Sequence, residues 1–219
     1  MNSNLNNISD GKLYKANDKV DLLSNDCAGC CQCCIDMGDS IVLDPYDVYL
    51  LTSGLDKSFD QLINEGRIEF TMNNGLPLPN LKMVPKFFKE GLIPGCSFLN
   101  ERGRCEIHDF RPGICRLFPL GRDFREGELS YFLLKDACLV ERRGKVEINK
   151  WLGHKNIKEY EDFLISWHDL RKQISNIIKD TDDETYAKAI STGFLKLFYM
   201  TPYNSKDFFE EYYSRLNSL

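Results

Sequence analysis

Five cysteines fall within eight residues, Cys27, Cys30, Cys31, Cys33 and Cys34 in the run CAGCCQCC, and four more follow singly at Cys96, Cys105, Cys115 and Cys138. Thiols this crowded repel one another as thiolates and stay protonated unless a cation compensates them. A bound metal deprotonates a coordinating thiol outright. The chemistry these residues point to is therefore coordination, with a metal ion held by thiolates of the run together with Cys96, Cys105, Cys115 and Cys138. A helix would put Cys27, Cys30, Cys31 and Cys34 on one face, but Gly29 disfavours a regular helix, and the run is expected to loop around an ion. In extended chain Cys33 and Cys34 would point to opposite sides. They then serve different ions, unless a tight turn brings both to one.

The single cysteines sit beside turn formers. Cys96 follows Pro94-Gly95, Cys105 follows Gly103-Arg104, and Cys115 follows Arg111-Pro112-Gly113, where Pro112 fixes one dihedral. The long gaps between ligand groups mean that metal binding closes large loops and contributes directly to folding stability. The competing reading of an isolated cysteine is a small buried hydrophobe, and it weighs most for Cys138. His108 stands three residues after Cys105, a spacing that would allow ligation, whereas His154 and His168 belong to the helical part as surface or core residues. No Ser-His-Asp triad, phosphate-binding glycine loop or carboxylate dyad is visible.

Composition narrows the class. The 219 residues are 42% hydrophobic with net charge −5, a globular balance without the strong basic stripe of a nucleic-acid binder. Residues 101–125 carry six Arg against four acids, too slight an excess for a DNA footprint. The opening MNSNLNNISDGKLYK has no apolar run and no cleavage site, and no stretch approaches a membrane span. The expectation is a cytoplasmic chain, with no membrane and no nucleic-acid partner, whose cysteines bind metal rather than form disulfides.

The elements that must position these residues follow from caps and periodicity. Ile41-Val42-Leu43 reads as a short strand. Asp44 N-caps a helix with Pro45 at its first position, expected to reach Leu51 and stop before Gly54. Ser58 and Gln61 form a capping box for a short helix ending at Gly66. Residues 67–95, with Pro77, Pro79, Pro85 and Pro94, read as irregular chain with one or two short strands. A hairpin-like pair is expected around Glu128–Lys135 and Lys145–Ile148. Beyond Trp151, apolar residues from Ile157 to Ile177 recur at helical spacing, Thr181 and Glu184 suggest a second capping box, and a last helix carries Phe208 to Leu216. The fold class is α+β: a small irregular, metal-stabilised cysteine-cluster domain over 24–140, preceded by a polar segment 1–23 and followed by a mainly helical region 141–219.

These residues resemble the zinc- or iron-chelating cysteine-cluster family of the YkgJ type, named for its CxxCxxCC signature. Cys27, Cys30, Cys33 and Cys34 match that signature, with Cys31 as an extra. Ile41-Val42-Leu43 with Asp47 and Leu50-Leu51 resembles the family's next element, and Cys96-Ser97-Phe98-Leu99 its CxFL motif. Cys105-Glu106-Ile107-His108, then Arg111-Pro112, Cys115-Arg116 and Phe118-Pro119, resembles its C-x-I-Y…R-P-x-x-C-R-x-Y-P block. Cys138 falls where the family places a final cysteine. His108 replaces the usual Tyr, which counts against it as a ligand. Setting Cys31 aside leaves eight cysteines, enough for two four-thiolate sites or for one cluster plus a second site.

The resemblance implies zinc or iron, the latter including a 4Fe–4S cluster. Both accept four thiolates. Phe98, Phe110, Phe118 and Phe124 could give a cluster apolar cover, and Arg111 and Arg116 are expected to donate towards the sulfurs and offset their charge. Flagellin lysine N-methylases resemble the same family and carry an iron–sulfur cluster, which implies a second function class, an iron–sulfur enzyme acting as a protein methyltransferase or oxidoreductase. A third is a metal-stabilised module whose C-terminal helices dock a protein partner. The leading reading is a metal-binding protein whose cellular process the residues do not specify.

Overall fold

Two capping boxes start the helical structure. Helix α1 (Pro45–Leu55) opens on Asp44, whose carboxylate accepts from the Asp47 amide while the Asp47 carboxylate accepts from the Asp44 amide. Ser58 and Gln61 do the same for α2 (Phe59–Asn64). The expected stop before Gly54 does not occur, and α1 runs on to Leu55. A Cβ at Gly54 would lie 2.6 Å from the Phe110 ring, so this glycine admits a close-packed ring rather than ending the helix. The structure, a computed structural model, describes residues 7–23, 31–88, 91–138 and 144–219.

Residues 67–95, expected to be mostly irregular, form two antiparallel hairpins instead. Strand β2 (Ile68–Asn73) pairs with β3 (Leu76–Leu81), and β4 (Met83–Phe88) with β5 (Gly91–Cys96). Their prolines are placed at Met72↔Pro77, Phe70↔Pro79 and Pro85↔Pro94. In a two-stranded ribbon every strand is an edge, so a proline can turn its missing N–H away from the partner at little cost. The 41–43 segment is not a full strand but docks on β3: Leu43 N donates to Pro79 O (2.8 Å) and Leu81 N to Ile41 O (3.0 Å).

The remaining pairings differ from the expected hairpin. Strand β7 (Glu128–Leu133) pairs with β6 (Leu120–Arg125), and β8 (Gly144–Glu147) pairs with the distant β1 (Lys19–Leu23). A polar N-terminal segment is thereby tied to the start of the helical region. Four helices follow: α4 (Ile148–Leu152), α5 (Ile157–Asp180), α6 (Glu184–Leu195) and α7 (Phe208–Leu216), with a π-turn (Lys196–Met200) after α6. The cap of α6 is Asp183, which accepts from the amides of Thr185 and Tyr186, so the Thr181–Glu184 box is not formed.

The helices share one core with the hairpins. Tyr46 of α1 lies 5.0 Å from Phe208 and 5.2 Å from Phe209, and Trp167 of α5 stacks 5.2 Å from Phe194. Tyr199 donates its hydroxyl to Leu43 O (2.9 Å), so the C-terminal aromatics also support the 41–43 segment. The architecture is α+β, as expected. Among the described residues no helix is long and apolar enough to cross a membrane.

Candidate metal centre

Cys33 and Cys34 reach the site through a single 3-10 turn, Gln32–Cys34. Cys31 precedes it in the left-handed region (φ 47°) and accepts the Cys34 amide at 2.8 Å. This tight turn puts the Cys33 and Cys34 sulfurs 3.9 Å apart, where extended chain would have separated them. The turn is anchored to β5: Ile35 bridges Gly95, and Asp36 N donates to Pro94 O (2.8 Å). Cys96 ends that same strand, so one anchor brings the cysteine run beside the first of the single cysteines.

Cys105 is delivered by a small loop closed on Asn100. The Asn100 side-chain oxygen accepts from the amides of Arg102 (3.0 Å) and Arg104 (2.9 Å), Gly103 supplies φ +68°, and Leu99 bridges Cys105. Cys115 sits in the one-turn helix α3 (Gly113–Leu117). These elements surround a cavity of about 260 Å³ lined by the sulfur-bearing residues Cys31, Cys33, Cys34, Cys96, Cys105 and Cys115. Ile41, Leu81, Met83, Ile107 and Phe118 form apolar wall, and Arg104, His108, Arg111 and Trp151 complete it.

Cys27 and Cys30 lie outside the described residues. Cys138 is half-buried beyond β7 and does not line the cavity. None of the seven described cysteines is in a disulfide. Among the described residues no group of three or more His, Cys, Asp or Glu side chains is already arranged to hold an ion. Phe118 lines the cavity, whereas Phe98, Phe110 and Phe124 do not.

The thiols sense one another. Burial pushes Cys96 up to about 11 and also raises Cys105 and Cys115. Cys33 is drawn down to about 7, first by the hydrogen bond from Cys34 and then by the positive charge of Arg111, against the opposing effect of burial. Cys34 is raised, first by its contact with Cys33 and then by burial. Without a cation, then, the surroundings favour a thiolate at Cys33 and disfavour one at Cys34, Cys96, Cys105 and Cys115. A metal must displace those protons.

The donor set fits such a cation. Arg111 Nε and Trp151 Nε1, in two residues that line the cavity, are buried with no hydrogen-bond partner among the described residues. An unpaired buried donor is costly, and thiolate or sulfide sulfur is an acceptor for it. Arg111 also meets His108, with Nη1 hydrogen-bonded to Nε2 of that ring, and its charge lowers the Cys33 thiol. Arg116 does not line the cavity: its Nε donates to Arg111 O (3.0 Å), so it acts on the backbone of Arg111 rather than on a sulfur. The reason is helical phase, since Arg116 adjoins Cys115 on α3 and so projects from a different side.

Behind α3 lies a buried polar network that sequence reading missed. Asp47 Oδ1 accepts the Gly113 amide at 2.6 Å, tying α3 and its Cys115 to α1. Arg122 donates to the Tyr160 hydroxyl (2.8 Å), and both sit against Gly113, where a Cβ would lie 2.2 Å from that hydroxyl. Asp44 and Asp47 are buried together, and desolvation raises both, Asp44 to about 8. Asp47 stood out in the sequence only through the family resemblance, and nothing local signals its bond to a residue 66 positions away. Trp151 likewise reaches the cavity from α4, which follows β8 directly and packs on α3 and β1.

Compared with known proteins, residues 26–139 match the profile of the CxxCxxCC family, described as a "putative zinc- or iron-chelating domain". No curated protein and no solved structure matches the chain.

Proposed function

We propose that this chain, which belongs to the CxxCxxCC family of zinc- or iron-chelating domains, holds its metal in the cysteine-lined cavity as a centre of more than one metal atom. The observation carrying this reading is the convergence of six thiol-bearing residues on one cavity with two buried, unpaired N–H donors in its wall. One zinc takes four ligands, fewer than the thiols gathered there. An iron–sulfur cluster, or zinc ions sharing thiolates, uses the larger number and the acceptor sulfur that Arg111 and Trp151 lack. The ligands are drawn from Cys27, Cys30, Cys33, Cys34, Cys96, Cys105 and Cys115. Cys138 joins them by family resemblance, and Cys31 stands close enough to substitute within the run.

When bound, the centre supplies structural cross-linking and, if it contains iron, one-electron redox capacity. The protein's own residues supply the rest. Arg111 places positive charge beside Cys33 and Cys105, the apolar wall limits water, and Asp47 fixes the helix that carries Cys115. In this reading residues 24–140 are the metal-binding domain of a cytoplasmic protein and 141–219 the helical region packed on it.

Anaerobic purification followed by metal analysis and an absorption spectrum tests the proposal. More than one metal atom per chain is expected, with a broad band near about 400 nm if the metal is iron in a cluster, because zinc thiolates lack that charge transfer. A single colourless zinc per chain would overturn the multi-metal reading.

A further inference from the structure

Well away from the cysteines, α5 and the β2–β3 turn enclose a second pocket of about 200 Å³ with a different chemistry. Arg171, Lys172 and Lys179 line it from one helical face, Asn73 and Asn74 from the turn, and the buried Ser175 lies between the cations. The turn is seated on the helix: Gly75, at φ +85°, places its missing Cβ 3.6 Å from Ile178 Cγ2. No carboxylate lines the pocket, and none of the three cations forms an ion pair among the described residues. Of the acids, the buried Asp44 senses the charge of Arg171, and Asp169 acts on His168. His168, at the pocket edge, is stacked 4.3 Å from Phe124 and held towards its neutral form by burial and by Arg171.

Three clustered cations on a chain of net charge −5 run against its overall balance. The ordinary explanation is a solvated helix face, with each long side chain extended into water. Two features point beyond it. Arg171 Nε is buried without a hydrogen-bond partner among the described residues, and amide and hydroxyl groups sit in the same concavity as the three charges. We propose that this pocket binds a phosphate group, as the monoester of a small molecule. The Arg171 guanidinium offers a planar fork, and two ammonium groups neutralise the remaining charge of a dianion. The Asn73 and Asn74 side chains and the Ser175 hydroxyl add neutral contacts. A monocarboxylate would leave most of the three charges uncompensated. The volume suits a phosphate with a small attached group rather than a whole dinucleotide.

The test uses the full-length, metal-loaded protein titrated with inorganic phosphate at fixed ionic strength, read by amide chemical shifts. Saturable shifts confined to residues 73–75 and 168–179 are expected, with one dissociation constant. Lys172→Gln and Lys179→Gln, both at exposed positions, should each weaken binding about tenfold, as expected for removing one charge-assisted contact. Lys188→Gln, which removes an equally exposed charge elsewhere, should leave it unchanged. Metal content should be the same in all variants, so failure here leaves the metal centre untouched. Shifts that never saturate, or an equal loss with Lys188→Gln, would show only diffuse electrostatics and overturn the site.

Discussion

Arg111 shows how one side chain can serve two neighbours. Its Nη1 meets His108, its charge favours the Cys33 thiolate, and its Nε remains unpaired at the cavity wall. Replacing Arg111 with Ala should lower metal affinity about 10- to 100-fold, the usual cost of losing a group that supports metal ligands. Arg116→Ala should cost less, because it only loosens the Arg111 carbonyl. Competition with a chelator of known affinity ranks the two, and equal losses would mean that Arg111 acts only through the backbone. Asp44 makes a separate residue-scale prediction. Its folded-state pKa is raised to about 8, chiefly by burial, from an ordinary value of 3.8. Folding thus favours its protonated form, and the stability it contributes is full below about 4 and lost as pH rises through about 8. Asn at this position keeps the oxygen that caps α1 and cannot ionise. Asp44→Asn should therefore lose less stability than the parent between pH 5 and pH 8.5 in urea denaturation. Parallel pH profiles would contradict the assignment.

At the scale of elements, local signals were readable and distant ones were not. Asp44-Pro45 and Ser58–Gln61 announce α1 and α2, because a capping box involves only four residues. The spacing from Ile157 onward announces α5, because its buried stripe of Tyr160, Phe163, Leu164, Trp167 and Leu170 repeats over many turns. The hairpins β2–β3 and β4–β5 were hidden by Pro77, Pro79, Pro85 and Pro94, which argue against central strands and are harmless in edge pairs. The pairing of β1 with β8 joins the N-terminal segment to the start of the helical region, and no local pattern encodes it. Of the expected cysteines, Cys33, Cys34, Cys96, Cys105 and Cys115 line one cavity, whereas the strut from Asp47 to Gly113 had no local signal. That strut yields a prediction at its own scale. Gly113→Ala would drive a methyl group to 2.2 Å from the Tyr160 hydroxyl and crowd Arg122 at 3.1 Å. Overpacking of this kind costs about 1–3 kcal/mol, and because α3 must move, Cys115 moves with it. The variant should lose both thermal stability and metal stoichiometry. Full metal retention with reduced stability would separate α3 from the site.

Over the whole molecule, the cysteine-bearing loops and the helical aromatic core have different sources of stability. The loops around Cys33, Cys96, Cys105 and Cys115 contain short turns and a one-turn helix. The C-terminal helices bury Trp167, Phe194, Phe198 and Tyr212 against one another. Chelating the metal should therefore raise amide exchange first in residues 31–36 and 96–117. Residues 157–180 should keep most of their protection, since local opening follows local packing. Uniform loss across the chain would indicate that the metal and the aromatic core form one cooperative unit.

In the proposed centre sulfur from sequence-distant cysteines encloses the metal, and X-ray absorption at the edge of the bound metal tests this most directly. A first shell dominated by sulfur at about 2.3 Å is expected, diminished in Cys33→Ser and Cys115→Ser alike, because both cysteines line the same cavity. A first shell of nitrogen and oxygen, or a sulfur shell unchanged by either substitution, would contradict it.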